Sequence, residues 1–415
     1  MRLRDASGLP RVVVTGMGAV SCVGAGTPAL LDALRERRHG LRRMEAFAAL
    51  GMRGQVGGPV DIGPLQPEPP RKLRRFLPAP ARYAWHAANE ALAQAQLAPE
   101  RLAAADCGLV LGGGAALSEH EEALDNHRRR GIARISPFTV PRGMSSALSA
   151  SLAQAFGIGG ASYTVSSACT SGAHAVGHAM ELIQLGRQSV VIAGGAEELH
   201  PSTAMWFDAM GALSPQVDPT KASRPFHRDR DGFALAAGAG VLVLESLEHA
   251  QARGACVLAE LAGYGCATDA ASMVGPGAAG IARALRQALD RAGSLPGYVN
   301  AHACGTQGDL AEWQAIRGVF AERGVPVPPL SSIKGLIGHA PGAAGALDAI
   351  ACLLMLQHGF LAAGAPLGDI DPDFEDAPLL TENREQPVDA ALSSSYGFGG
   401  SCAALLFRRF DGAAA

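Results

Sequence analysis

No membrane-spanning segment is expected in this 415-residue chain. The opening MRLRDASGLPRVVVTGMGAVS passes straight into a strand-like run without the apolar core of a secretion signal. These absences predict an untethered cytoplasmic protein with no membrane partner. Charge of one sign is also missing: 35 Lys and Arg stand against 38 Asp and Glu, so no global basic field favours nucleic acid. An anionic partner would have to meet a local patch. The eight cysteines contain no CxxC pair, which suggests neither a zinc site nor a disulfide framework and fits a reducing compartment.

What is present is apolar and small. Hydrophobic residues make up 48% and charged residues 18%, with 52 glycines, a composition suited to helices packed closely on sheets rather than to disorder. Short β-branched runs alternate with Ala/Leu-rich stretches, as in Arg11–Thr15 followed by Ala29–Arg38, and the run Ser189–Ala193 follows a helical stretch. The alternation predicts an α/β fold with buried sheets. No linker-like composition interrupts it, and a first half would end after Gly240–Glu245 and a following helix, near Gly254. SYTVSSA before Cys169 and YVNAHA leading to His302 form a weak recurrence, one in each half. Loop signals are densest over Pro201–Asp229 and Gly275–Gly280, and recur at Pro366–Pro378.

In SSACTSGAHAVGHAMELIQLG, Cys169 is flanked by small residues, and Ala173, Val176, Met180 and Ile183 then recur at helical spacing up to a capping Gly186. A strand therefore turns into a helix at a cysteine. The positive end of a helix dipole favours thiolate, and unpaired N–H groups there can receive an oxyanion, as an acyl-accepting cysteine needs. A small buried structural residue is the other reading of Cys169. His174 and His178, farther along, read as packing or surface histidines.

VNAHACGTQGD puts His302 at a strand end, before a turn carrying Thr306 and Asp309; strand ends are where α/β folds place their sites. SSIKGLIGH sets Lys334 five residues before His339, ahead of an apolar helix containing Asp348. A metal site from His302, His339 and Asp309 lacks HExxH-like spacing, and no metal is expected.

Together these segments resemble the β-ketoacyl-acyl-carrier-protein synthases of the thiolase superfamily over essentially the whole chain. VVVTGMGAVS, SSACTSGAH, AGGAEE, FDAMGALS, ASRPF, RDGF, NAH, KGLIGHAPGAAG and YGFGG carry the likeness, in this order. GGAEEL…FDAMGALS and AAGAGVLVLE are more similar to the elongating enzymes of fatty-acid synthesis than to initiators with one histidine and one asparagine.

The resemblance implies a thiolase-like fold of two duplicated halves, residues 1–254 with the cysteine and 255–415 with the histidines and the GFGG loop, in five αβαβα layers. It implies a homodimer, or a heterodimer with a related subunit. It implies acyl transfer to Cys169 from a carrier protein, then decarboxylation of malonyl-carrier protein and attack of the enolate on the acyl group. No cofactor is implied beyond the carrier's phosphopantetheine. His302 and His339 would hold the enolate oxygen, and the N–H groups of Cys169 and Phe398 the other oxyanion, with Phe398 also gating the chamber. Lys334 and Asp348 would support the histidines, Asp348 standing where glutamate is usual.

The family turn HGTxTPxGD is one residue shorter here, with Cys304 in place of the first pantetheine-binding threonine and Thr306 in place of the second. The asparagine usual before GFGG is serine, within Ser393–Ser395. Arg71, Lys72, Arg74 and Arg75, with Arg130 and Arg134, match the region that docks the acidic carrier helix. The other readings are a specialised aryl-polyene or polyketide ketosynthase, a malonyl decarboxylase or thioesterase, and a non-catalytic chain-length partner. Retention of Cys169, His302 and His339 counts against the last.

Overall fold

The computed structural model describes residues 2–63, 67–275, 277–366 and 368–410. The first half contributes strands β1 (Val12–Ser21), β2 (Cys107–Gly112), β3 (Ser162–Val165), β4 (Val190–Glu197) and β5 (Gly238–Ser246). The second contributes β6 (Ala259–Thr268), β7 (Tyr298–Asn300), β8 (Leu330–Ser331), β9 (Ala390–Gly397) and β10 (Ser401–Arg408). β1 and β2 are buried along their whole length, as strands covered on both faces must be. Six helices position the site: α1 (Ala79–Ala95), α2 (Ser171–Gln184), α3 (Pro201–Met210), α4 (Ala278–Ala292), α5 (Gly308–Glu322) and α6 (Pro341–His358).

The strands follow one path, β3-β2-β4-β5-β1-β6-β10-β9-β7-β8. Read outward from the centre, each half takes its first, fifth, fourth, second and third strand. The pairings in each are antiparallel, antiparallel, parallel and parallel. A short antiparallel bridge from β1 to β6 joins the halves. The topological counterpart of β3, which precedes Cys169, is thus β8, which precedes Lys334 and His339. The recurrence suggested by sequence, which matched Cys169 to His302, paired the wrong strands: β7 is the second strand of its half, β3 the third.

Three apolar clusters separate five layers. One lies between α1 and the first half-sheet, one between the two half-sheets around α2 and α6, and one between the second half-sheet and α4 with α5. The expected αβαβα arrangement is the one the chain adopts. α6 is buried on every side from Pro341 to Leu356, the pattern of a helix enclosed in a core. The loop expected over Pro201–Asp229 is a helix in its first ten residues, α3, because Pro201 fits a helix's first turn without losing a needed hydrogen bond. Among the described residues, no helix is long and apolar enough to cross a membrane.

α2 and α6 touch through glycine. A Cβ on Gly345 would lie 2.6 Å from the backbone nitrogen of Ala173, so the two backbones meet without a side chain between them. Gly345→Ala should lower stability by roughly 1–3 kcal/mol through overpacking. The check is a denaturant titration: the midpoint should fall with the slope unchanged.

Candidate active site

Cys169 sits in the tight turn between β3 and α2. Ala168 takes φ +52°, a left-handed conformation that a residue with a Cβ adopts at a cost. Hydroxyls hold the turn: Thr170 Oγ1 donates to the Ser167 carbonyl at 2.7 Å, Ser171 Oγ donates to the Ala168 carbonyl at 2.6 Å, and Ser171 Oγ accepts the Ser167 N–H at 2.9 Å. From the other half, Gly397 at the end of β9 presses on this turn, and a Cβ there would stand 2.8 Å from the Cys169 nitrogen. The N–H groups of Cys169 itself and of Phe398 both reach the sulfur.

His302, just past β7, is fixed through its backbone: its N–H donates to Glu312 Oε1 at 2.8 Å, and the next N–H, of Ala303, to Oε2 at 2.9 Å. Glu312 stands on α5 and is buried, which raises its carboxyl to about 7. His339 is held by a parallel bridge, donating its N–H to the Ala234 carbonyl at 2.9 Å. The two imidazoles lie edge to face at 5.1 Å, and Tyr396 packs on His302 at 4.3 Å. Ligating atoms of Cys169, His302 and His339 all fall within 4.8 Å of one another, and all three residues are buried.

Burial governs the protonation of this trio. Loss of water, with the neighbouring Lys334 charge, pushes His339 down to about 3; the same causes and His339 lower His302 well below its ordinary value. Both imidazoles are neutral near pH 7 and can donate an N–H. Burial pushes the Cys169 thiol up to about 12, helped by Glu197 and opposed by Lys334 and the two N–H groups. The helix dipole expected from the sequence to favour thiolate is thus opposed by burial, which raises the thiol.

Lys334 and Asp348 form a buried ion pair at 2.6 Å, each side chain 1% exposed. The pair brings positive charge beside the imidazoles. The metal site considered from His302, His339 and Asp309 is not what the fold assembles. Asp309 faces away and accepts four backbone N–H groups, from Phe226, Cys304, Gly305 and Thr306, at 3.1–3.2 Å. Cys169 takes its place beside the histidines, where a divalent ion would meet the Lys334 ammonium.

The shortened turn is thus wrapped around Asp309. Arg230 clamps it from outside, donating Nε–H to the Thr306 carbonyl at 3.0 Å. Cys304 Sγ lies 3.8 Å from Thr306 Oγ1, and both residues line the same cavity of about 640 Å³ as Cys169, His302, His339 and Phe398. The Phe398 ring rests 6.1 Å from Phe207 of α3. Ser393, Ser394 and Ser395 are buried in β9.

Arg71, Lys72, Arg74, Arg75, Arg130 and Arg134 are all exposed, and none lines the cavity. Phe138 joins the two basic segments, with the Arg75 guanidinium over its ring at 4.9 Å and Phe76 against its edge at 5.1 Å. Arg74 is paired with Glu68. Sequence reasoning did not single out Glu312, Glu197 or Arg230, although the AGGAEE and RDGF motifs contain the last two. Nor did it find a role for His174, which is buried between Tyr264 and Ser401.

A thiol and two neutral imidazoles lining one cavity, with two backbone N–H groups at the sulfur, define an acyl-transfer enzyme. The N-terminal domain model of β-ketoacyl synthases matches residues 10–250 and the C-terminal domain model residues 258–367. The chain belongs to the β-ketoacyl synthase family. It is similar to the 3-oxoacyl-[acyl-carrier-protein] synthase 1 of Haemophilus influenzae, 40% identical over 97% of this chain and 100% of that protein. It is 38% identical to a putative polyketide β-ketoacyl synthase 1 of Streptomyces halstedii, over 95% of this chain and 97% of that one. Among solved structures, the ishigamide ketosynthase/chain length factor superposes with a TM-score of 0.89 at 31% identity, covering 97% of this chain and 100% of the other.

A thiol with a pKa of about 12 reacts in proportion to its small thiolate fraction. Alkylation of Cys169 by iodoacetamide, followed by mass spectrometry, should therefore rise about tenfold per pH unit from pH 7 to 10 without a plateau. A plateau below pH 9 would mean that the dipole prevails over burial.

Proposed function

We propose that the protein condenses an acyl group held on Cys169 with malonyl-carrier protein, and that the convergence of Cys169, His302, His339 and the Phe398 N–H on one cavity carries this reading. Cys169 sulfur attacks the acyl thioester. Its proton leaves as the C–S bond forms and passes through a neighbouring imidazole to the departing pantetheine sulfur. The tetrahedral oxyanion lies against the N–H groups of Cys169 and Phe398.

Malonyl-carrier protein then enters and loses its carboxylate as carbon dioxide or bicarbonate, leaving an enolate whose oxygen accepts the N–H groups of His302 and His339. These must be neutral and already aimed; burial first, and then the Lys334 charge beside them, favours the neutral form. The enolate carbon attacks the acyl carbonyl. The β-ketoacyl product departs on the carrier, and the thiolate left on Cys169 recovers a proton. Thr306 and Cys304 border the pantetheine arm, and no cofactor beyond that arm is needed.

The exposed Arg71, Lys72, Arg75, Arg130 and Arg134 suit an acidic carrier helix, whereas Arg74 is engaged by Glu68. Division of the chain into halves 1–254 and 255–415 is supported by the repeated strand order. A homodimer, or pairing with a related subunit, is part of this reading. The product class divides between fatty-acid and specialised polyketide or aryl-polyene chains. The specialised route is favoured by one feature, Cys304 on a turn one residue short, which changes the wall next to the pantetheine.

Intact-protein mass spectrometry after incubation with acyl-carrier protein should show one acyl adduct on the wild type and none on Cys169→Ala. Equal adducts on the two would refute the assignment. His302→Ala and His339→Ala should each still form the adduct, more slowly where the lost imidazole carries the thiol proton, but lose condensation by about 10²–10³-fold, the cost of one oxyanion donor. Lys72→Glu should raise KM for the carrier substrate with kcat little changed, and the difference should shrink at high salt.

A further inference from the structure

The two N–H groups at the Cys169 sulfur come from separate halves of the chain, one on the β3–α2 turn and one on the loop between β9 and β10. Something must hold those segments in register. A line of buried polar contacts joins them. Ser401, the third residue after Phe398, has its Oγ 2.7 Å from Thr170 Oγ1 and 2.9 Å from His174 Nε2. His174 Nδ1 lies 2.6 Å from the Tyr264 hydroxyl on β6. Thr170 is the residue next to the nucleophile.

Assigning the Thr170 hydroxyl proton to the Ser167 carbonyl gives the line a direction. The single Thr170 hydroxyl proton is used at the Ser167 carbonyl, 2.7 Å away, which holds the turn. Ser401 must then donate to Thr170, and its own oxygen must accept from His174. His174 is therefore the Nε2–H tautomer, with bare Nδ1 accepting from Tyr264. Burial, and secondarily His178, lowers His174 to about 4, while burial also raises the Tyr264 phenol, so both groups carry the protons this requires. Reversing the line would take the Thr170 hydroxyl away from the Ser167 carbonyl.

The loop is anchored on its far side as well. The Asp269 N–H donates to the Gly400 carbonyl at 2.7 Å, and the Gly399 N–H donates to the Met273 carbonyl at 2.8 Å. Between these anchors and Cys169, Ser401 is the side chain through which the loop bonds the nucleophile's turn.

We propose that His174 is a positioning residue which, through Ser401 and Thr170, locks the Phe398 loop to the Cys169 turn and so sets the spacing of the two oxyanion donors. It touches no substrate. Its role rests on the condensing reading above, and it belongs to acyl transfer at Cys169 rather than to formation of the enolate, which His302 and His339 serve. The two half reactions therefore separate its effect from general damage.

The test measures single-turnover acylation of Cys169 by acyl-carrier protein and, independently, decarboxylation of malonyl-carrier protein, on His174→Leu, His174→Gln, Ser401→Ala, Thr170→Val and Thr170→Ser. His174→Leu, Ser401→Ala and Thr170→Val should slow acylation by about 10–100-fold, as expected for donors misplaced by a fraction of an ångström. Decarboxylation should stay within about threefold, a difference too small for loss of an oxyanion donor. His174→Gln, which keeps an amide N–H near the Nε2 position, and Thr170→Ser should recover most of the loss. Nitrogen-15 NMR of labelled histidine should show His174 as neutral Nε2–H. Equal losses in both half reactions, no loss in either, or an Nδ1–H tautomer would each overturn the proposal; should His174→Leu not fold, Ser401→Ala and the NMR readout decide. Failure of the wild type to form any acyl adduct would instead strike the condensing reading.

Discussion

Exclusion of water from the space between the two half-sheets is the constraint on which the remaining features depend. It is achieved by bringing α2 and α6 together over glycine and alanine, so that the two backbones meet directly within a cluster of apolar side chains. With water gone, charge becomes expensive and donors become strong. The nucleophile rests as a thiol, the imidazoles rest neutral, and the single ammonium present, Lys334, is compensated at once by Asp348. Removing one member of that pair would leave the other buried alone, which costs about 3–5 kcal/mol in typical proteins.

The same dryness explains why so much of the site is held by carboxylates that never meet substrate. Glu312 fixes the strand end under His302, Asp309 gathers the N–H groups of the short turn, and Glu197 accepts the Gly342 N–H at the start of α6 at 2.9 Å. Each satisfies backbone groups that would otherwise be buried without a partner. The cost is seen in their own titration, since Glu312 and Glu197 are both raised to about 7.

Much of this could be read in the sequence because strand-to-helix turns leave a composition signal. Small residues around Cys169, glycine after His302 and the KGLIGHAPGAAG run each marked a place where backbone approaches backbone, and the three meet. Other properties depend on distance, which spacing does not carry. The burial that raises the Cys169 thiol was not legible, because a helix terminus is visible in sequence whereas the degree of enclosure is not. His174 passed for a packing residue because its partners, Tyr264 and Ser401, lie 90 and 227 positions away. α3 was hidden by the proline that begins it.

The repeated strand order gives the site an unusual division of property. In each half the third strand runs into a turn and then into a central helix; in one half that turn bears a sulfur, in the other a lysine and an imidazole. The nucleophile belongs to one half and the imidazoles to the other. Reactivity therefore resides in the seam, and any motion that opens the seam by the width of a methyl group parts the sulfur from its proton carrier while leaving each half intact.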